Sequence, residues 1–266
     1  MILVGTSGFS YKDWVGPFYP SGTSDKEMLV HYARRFPVVE LNFSYYRMPS
    51  ARTLEAMVGR TPQGFEFAIK AHQSMTHDPA LDPSARAAAF KEFRAALTPL
   101  EQAGRLGCVL FQFPWKHRPT PEALSYLGEI RDRYPDLPVV VEFRNIGWDR
   151  PSTYEELTRL DLGYCCVDEP RLKDLMPRQS LATSCLGYVR FHGRNAQRWF
   201  NHKEAWERYD YLYTREELEE WTPRVIDMER NTAKTYVLFN NCHAGQAATN
   251  AQMMLDLLGL EAPTRS

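Results

Sequence analysis

The chain has 266 residues, with 32 basic and 33 acidic side chains, a formal net charge of -1, 44% hydrophobic residues and 24% charged ones. These values exclude a disordered, collagen-like or coiled-coil chain, and the near-neutral charge excludes a protein that coats nucleic acid by bulk electrostatics, leaving only a local basic pocket for that purpose. No apolar window reaches the ~18 to 20 residues of a membrane span, and the opening MILVGTSGFSYKDW has no basic leader, so no membrane association and a cytoplasmic location are expected. The five cysteines, Cys108, Cys165, Cys166, Cys185 and Cys242, lack CxxC spacing and mostly sit in apolar runs. They read as buried free thiols rather than a disulfide framework or a structural zinc site.

In chain order, short apolar runs ending in polar or turn residues predict eight strands: ILVG at 2–5, VVELN at 38–42, FEFAIK at 65–70, CVLFQF at 108–113, VVVEF at 139–143, YCCVD at 164–168, YVRFH at 188–192 and TYVLFN at 235–240. Helical spacing predicts helices at 25–36, 51–59, 84–103, 120–134, 153–160, 171–176 and 214–231, and a last one at about 250–258. Two starts are marked: Thr120 precedes Pro121 and Glu122 as an N-cap before a first-turn proline, and Thr214 stands three residues before Glu217, a capping-box spacing. Continuously apolar strands alternating with helices belong to a parallel sheet covered by helices. The expected fold class is α/β, a (β/α)8 TIM-like barrel forming a single domain over 1–260, with 261–266 as a C-terminal tail. An open doubly wound sheet is the alternative, weakened because no GxGxxG follows the first strand.

In such barrels chemistry sits where the strands end. All eight predicted ends are polar: Thr6 and Ser7, Glu40 and Asn42, Lys70 and His72, Gln112, Glu142 and Arg144, Asp168, Arg190 and His192, then Asn240, Asn241 and His243. The opposite ends begin with aliphatic or turn residues. Glu40 and Asn42, Glu142 and Arg144, and Arg190 and His192 are each two apart and share a face. Facing apolar packing would cost such charges several kcal/mol, so they are expected to point inward and line a pocket. The competing reading is a buried ion network that only plugs the barrel top.

The segments GTSGFSYKDWVGPFYP, VELNFSYYRMP, FAIKAHQSMTH, LFQFP, VEFRNIGW, VRFHGR, YDYLYTREEL and FNNCHAGQAATNA resemble, in order and over essentially the whole chain, the successive signatures of the YecE-like barrels, a domain of unknown function. The resemblance implies a TIM-like barrel with its signature residues at the carboxyl mouth, and no established reaction. One departure is visible: Cys242 separates Asn241 from His243, where the family form has histidine directly after the asparagine pair, and this is expected to displace His243 from the pocket.

Arg144, Arg190, Arg194 and Lys70 suit an anion, while Tyr11, Trp14 and Tyr46 lie near strand ends and are the aromatics expected to line the pocket; the remaining loop aromatics fit stacking platforms and loop mini-cores equally. The glycines around Thr6 and Ser7 fit a tight turn better than a phosphate cradle. Lys70, after the apolar FAI, reads as an anion-binding or paired lysine, with imine chemistry as a lesser alternative. Glu142 or Asp168 as base and His192 as acid is the working catalytic assignment. No cofactor is expected; a divalent metal on His72, His192, His243 and the carboxylates is the minor option, because HxH and HExxH spacings are absent and three cations share the mouth. The expected function is an enzyme (hydrolase, lyase or isomerase) acting on a phosphorylated sugar or nucleotide-like small molecule. The alternatives are a nucleic-acid-binding protein or metal-dependent phosphodiesterase resembling barrel endonucleases that process abasic sites, and a non-catalytic ligand-binding protein.

Overall fold

The computed structural model describes residues 1–77 and 82–262. Eight strands, β1 (Ile2–Ser7), β2 (Val38–Leu41), β3 (Glu66–Lys70), β4 (Leu106–Gln112), β5 (Val139–Glu142), β6 (Gly163–Asp168), β7 (Leu186–Phe191) and β8 (Lys234–Phe239), close into one barrel in sequence order. Every neighbouring pair is parallel, including β1 with β8. The helices are α1 (Asp25–Ala33), α2 (Phe43–Tyr46), α3 (Ala51–Val58), α4 (Pro83–Gln102), α5 (Pro121–Arg133), α6 (Pro151–Arg159), α7 (Arg215–Glu219), α8 (Thr222–Arg230) and α9 (Gln246–Leu258). The main apolar core lies between strands and helices, where Phe111, Leu127 and Tyr134 pack. This is the expected (β/α)8 architecture, and continuously apolar strands are what burial on both faces requires. Of the tail at 261–266, residues 263–266 lie outside the described residues.

Start signals act as their chemistry dictates. The Thr120 hydroxyl accepts from the Ala123 amide with Pro121 in the first turn, and Thr214 forms a capping box with Glu217.

Three expectations fail. Residues 171–176 form turns, not a helix: Pro170 and Pro177 bracket a segment too short to sustain helical hydrogen bonds without tertiary support, and Met176 instead donates its amide to Glu169. The expected helix at 214–231 is two, α7 and α8, because Pro223 cannot continue the ladder through Trp221. The amino end of the barrel is also polar: Glu66, at the start of β3, accepts from Tyr236 at 2.5 Å and from Lys234 at 2.5 Å. That pair closes on itself and reaches solvent through the lysine stem.

All five cysteines are free, with Cys108, Cys165 and Cys166 buried, Cys242 half-buried and Cys185 exposed. Among the described residues no helix is long and apolar enough to cross a membrane.

Candidate active site at the carboxyl mouth

Strand alternation places Glu40, Glu142 and Arg190 on the inner face, Glu142 as the last residue of β5 and Glu40 and Arg190 one residue before the ends of β2 and β7. Arg190 lies between the two carboxylates: Nη1 is 2.5 Å from Glu142 Oε2 and Nη2 is 2.6 Å from Glu40 Oε1. The Tyr188 hydroxyl donates to the other Glu40 oxygen at 2.8 Å, and the remaining Glu142 oxygen faces Arg144 Nε and, at 3.3 Å, His192 Nε2. Arg144 continues to Glu169, 3.4 Å from Nη1. The result is an alternating chain, Glu40, Arg190, Glu142, Arg144, Glu169, with both carboxylates beside Arg190 wholly buried. At 10% side-chain exposure, Arg144 is the member of this chain nearest to solvent.

Lys70 stands beside this chain without joining it. Its ammonium is 2.7 Å from Gln112 Oε1 and 4.3 Å from the centre of the Tyr45 ring; among the described residues no carboxylate lies within 4 Å of it. Gln112 is fixed in turn by donating to the Phe113 carbonyl at 2.6 Å. Burial, reinforced by Arg190 and Arg144 and opposed by Glu142 and Glu40, brings the Lys70 amine down to about 7.

The protonation states follow from the same geometry. Burial would raise the Glu142 carboxyl, but Arg144, Arg190 and His192 outweigh it and hold the group well below the usual range. Burial and Arg144 lower His192 to about 3 despite Glu142, so the imidazole is neutral, with Nδ1 3.1 Å from the Asn240 amide nitrogen. Glu169 moves the other way: burial lifts it to about 7, against the pull of Arg144 and of the Met176 amide. Glu169 and Lys70 are thus both brought to about 7, from opposite sides.

A family model described as "Protein of unknown function DUF72" matches residues 3–266. The chain belongs to the DUF72 family. The UPF0759 protein YunF of Bacillus subtilis is 35% identical over 275 residues, covering 98% of this chain and 96% of YunF. A DUF72 crystal structure from Thermotoga maritima is similar at 40% identity and a TM-score of 0.90, over 97% of this chain and 99% of that one. One from Enterococcus faecalis has 27% identity and a TM-score of 0.88, over 100% and 99%.

In this DUF72 barrel several sequence-predicted residues lie away from the centre. Asp168 points outward: three positions after Cys165, whose thiol faces Glu142, it takes the opposite face and accepts from Tyr213, Trp221 and Arg194 in the helix layer. Asp168 as base, with Arg194 as a mouth cation, is thereby corrected. His192, assigned as acid, and Glu142, assigned as base, do meet at the mouth, both fully buried and both lowered, His192 first by burial and Glu142 by Arg144, Arg190 and His192 against burial. Thr6 also faces outward, its amide 2.8 Å from the Tyr32 hydroxyl. Trp14 is wholly buried and donates to the Cys242 carbonyl at 2.7 Å; it packs with Tyr11, Phe18 and Tyr19 as a loop mini-core. Asn241 ties the Tyr211 carbonyl to Asn250, and His72 caps its own turn through Ser74.

Ser7, 3.4 Å from Arg190, stays at the centre, as do Gln112 and Asn240. Asn42 carries a buried side-chain oxygen without a hydrogen-bond partner. Tyr11 bends over Ser7, donating to its carbonyl at 2.8 Å. It also fills the space that a side chain would need at Gly8, whose φ of +91° makes this a glycine turn, and the Gly8 amide itself donates to the Glu40 carbonyl at 2.8 Å. His243 sits at the rim, stacked on Trp206 at 4.3 Å and 3.9 Å from Asp13. Tyr46 is a rim residue too, 74% exposed.

The sequence reading missed Glu169 and left Tyr45 among the loop aromatics it did not single out. Glu169 follows Asp168 directly, and only the phase of β6 decides which of the two enters the mouth. Among the described residues no three of His, Cys, Asp or Glu gather as metal ligands; Arg190 occupies the space between Glu40 and Glu142 that a cation would need. A cavity of about 1020 Å³ opens beside the mouth between α4 and α5, lined by Met75, His77, Arg86, Phe113, His117 and Tyr126 among others. The strand-end charges do not line it, so the site is defined by the charge chain and not by that cavity.

Proposed function

We propose that this DUF72 protein is an enzyme acting on a small anionic molecule at the carboxyl mouth, with Arg144 and Lys70 as its anion-binding groups. The observation that carries the reading is the Lys70 ammonium, held beside a buried ion chain with a neutral amide as its polar partner. A buried ion network is a poor source of stability compared with aliphatic packing, and a cation without a counter-charge adds to that cost. A ligand carrying a carboxylate or phosphate supplies the missing charge. Arg144 has its Nη2 edge without a hydrogen-bond partner among the described residues, positioned for a bidentate contact. Glu169 modulates that contact: ionised, it pairs with Arg144; protonated, it leaves the guanidinium for the ligand. Glu142 and Glu40 act as positioning residues that fix Arg144 and Arg190.

Native mass spectrometry and elemental analysis of freshly purified protein test this. An anionic small molecule retained by the wild type and absent from Arg144→Met is the expected result. Two or three equivalents of metal would overturn it in favour of metal-assisted phosphodiester chemistry, and binding of a single-stranded oligonucleotide that survives Arg144→Met would favour a nucleic-acid protein. A retained molecule that the protein holds without converting it would leave the binding assignment and remove the enzyme.

A further inference from the structure

Lys70 is more than an unpaired cation, and its surroundings restrict what it can do. We infer that Lys70 is a nucleophile that forms an imine with an aldehyde or ketone carrying an anionic substituent. The inference rests on the mouth being the reactive centre, and it names the substrate class for that site.

The argument begins with what a structural lysine at this position would look like. Glu40 and Glu142 both share the mouth with it, on β2 and β5, and either could pair with it. Arg190 holds both, at 2.6 and 2.5 Å, and the second oxygens are taken by Tyr188 and by Arg144 with His192. The carboxylates are thus committed elsewhere, and Lys70 receives a neutral amide instead.

That amide is not loose. Gln112 donates its own nitrogen to the Phe113 carbonyl, which fixes the identity of the atom facing Lys70 as the acceptor oxygen. An amine that gives one N–H to a fixed acceptor keeps its lone pair directed away from that acceptor. The Tyr45 ring closes a further side at 4.3 Å. Lys70 is half-buried where its carboxylate neighbours are wholly buried, so it keeps a path to solvent that they lack. Desolvation also keeps a substantial fraction of the amine neutral at pH 7, the form a nucleophile needs.

The covalent step balances without any further reagent. The nitrogen lone pair forms a C–N bond to the carbonyl carbon, and the carbonyl π pair moves to oxygen. The two amine protons then leave with that oxygen as water, giving the C=N bond. Protonating this imine creates a cation in a place that disfavours cations. A carboxylate or phosphate on the same substrate, held by the free edge of Arg144, restores the balance. A carbonyl compound without an anion lacks that compensation, so the anionic substituent is part of the inference.

Glyoxylate, an aldehyde bearing a carboxylate, is the probe, with cyanoborohydride at pH 7 to reduce any imine to a stable secondary amine. Peptide mapping is expected to show Lys70 carboxymethylated on the order of tenfold or more faster than any other lysine, since ordinary lysines are almost wholly protonated at this pH. Acetaldehyde under the same conditions is expected to label Lys70 several-fold more slowly than glyoxylate. Labelling of Lys70 no faster than the rest overturns the nucleophile, and equal labelling by the two aldehydes overturns the anionic substituent. Inorganic phosphate separates this from the wider reading. A rise in melting temperature with phosphate that disappears in Arg144→Met keeps the mouth as an anion site even if trapping fails, whereas loss of both results removes both readings.

Discussion

Two arginine–carboxylate clusters meet at the ends of β6 and β7, on opposite faces of the same sheet, and they are built to different standards. Outside the barrel, each Asp168 oxygen has two well-placed donors: Tyr213 and Arg194 Nε on one, Trp221 and Arg194 Nη2 on the other, all between 2.7 and 2.9 Å. Inside, Glu142 Oε1 faces Arg144 Nε and His192 Nε2, yet none of these three buried atoms makes an aligned hydrogen bond. A saturated cluster gives rigidity, because removing any member orphans the others. The inner one pairs its charges with poorer alignment, and the edge it leaves open is Arg144 Nη2. The difference separates a strut from a site more sharply than charge or burial does, since both clusters are buried and both are charged.

The largest effect is expected from Asp168→Ala, which leaves an indole and a phenol without their side-chain acceptor in the interior and Arg194 with only Glu217 and Glu220. It should lower unfolding free energy by about 4 kcal/mol in urea titration; a loss under about 1 kcal/mol would break the comparison. Arg190→Met strands Glu40 and Glu142 and should cost about 3 kcal/mol. The triple variant Glu40→Gln, Arg190→Met, Glu142→Gln should recover most of that stability while phosphate no longer raises its melting temperature. If the triple variant is as unstable as the single one, the inner cluster is a strut after all.

Stability against pH gives the next effect. Glu169 rises from 4.5 to about 7 on folding, so between those values the native state binds more protons than the unfolded chain, and stability falls as pH rises through this window. Lys70 drops from 10.5 to about 7; above 7 the unfolded chain binds more protons and stability rises with pH. His192, lowered to about 3, and His77 and His117, lowered to about 4, act in the opposite sense below pH 6.5, where the unfolded chain binds their extra protons, so Glu169 and Lys70 are read from variants compared with wild type. Measured by denaturant unfolding at pH 5, 7 and 9, the stability of wild type relative to Glu169→Gln should fall by on the order of 2 kcal/mol from pH 5 to 7, and relative to Lys70→Met should rise by a similar amount from pH 7 to 9. The smallest effect belongs to Glu217→Gln at the edge of the outer cluster, where the carboxylate serves Arg194 and the Tyr211 hydroxyl. About 1 kcal/mol of stability should go, with phosphate binding unchanged.

The barrel was legible because each strand announces itself as an apolar run with a polar end, and pairs such as Glu142 with Arg144 carry their common face in their spacing. The choice between Asp168 and Glu169 was not legible. A strand's phase is fixed by its neighbours, and a one-residue difference sends a side chain to the opposite face. The break between α7 and α8 was marked by Pro223, but the reason for Trp221 at that corner is Asp168, fifty-three positions away in sequence. Thr6 and Trp14 show the same gap: their partners, Tyr32 and the Cys242 carbonyl, are supplied by packing that no local pattern encodes.

The seam between β1 and β8 bears on how the molecule is made. Residues from Ile2 to Ser7 are paired on one side with β2 and on the other with a strand that begins only at Lys234. At the ~5 to 20 residues per second of synthesis, β1 waits roughly 10 to 50 s for its second neighbour to leave the ribosome, holding an unpaired edge of the kind that invites wrong partners. Ser7 and Arg190, which meet at the centre of the mouth, are brought together by that last closure. The nascent chain thus completes the charged centre of its mouth only at the end of assembly.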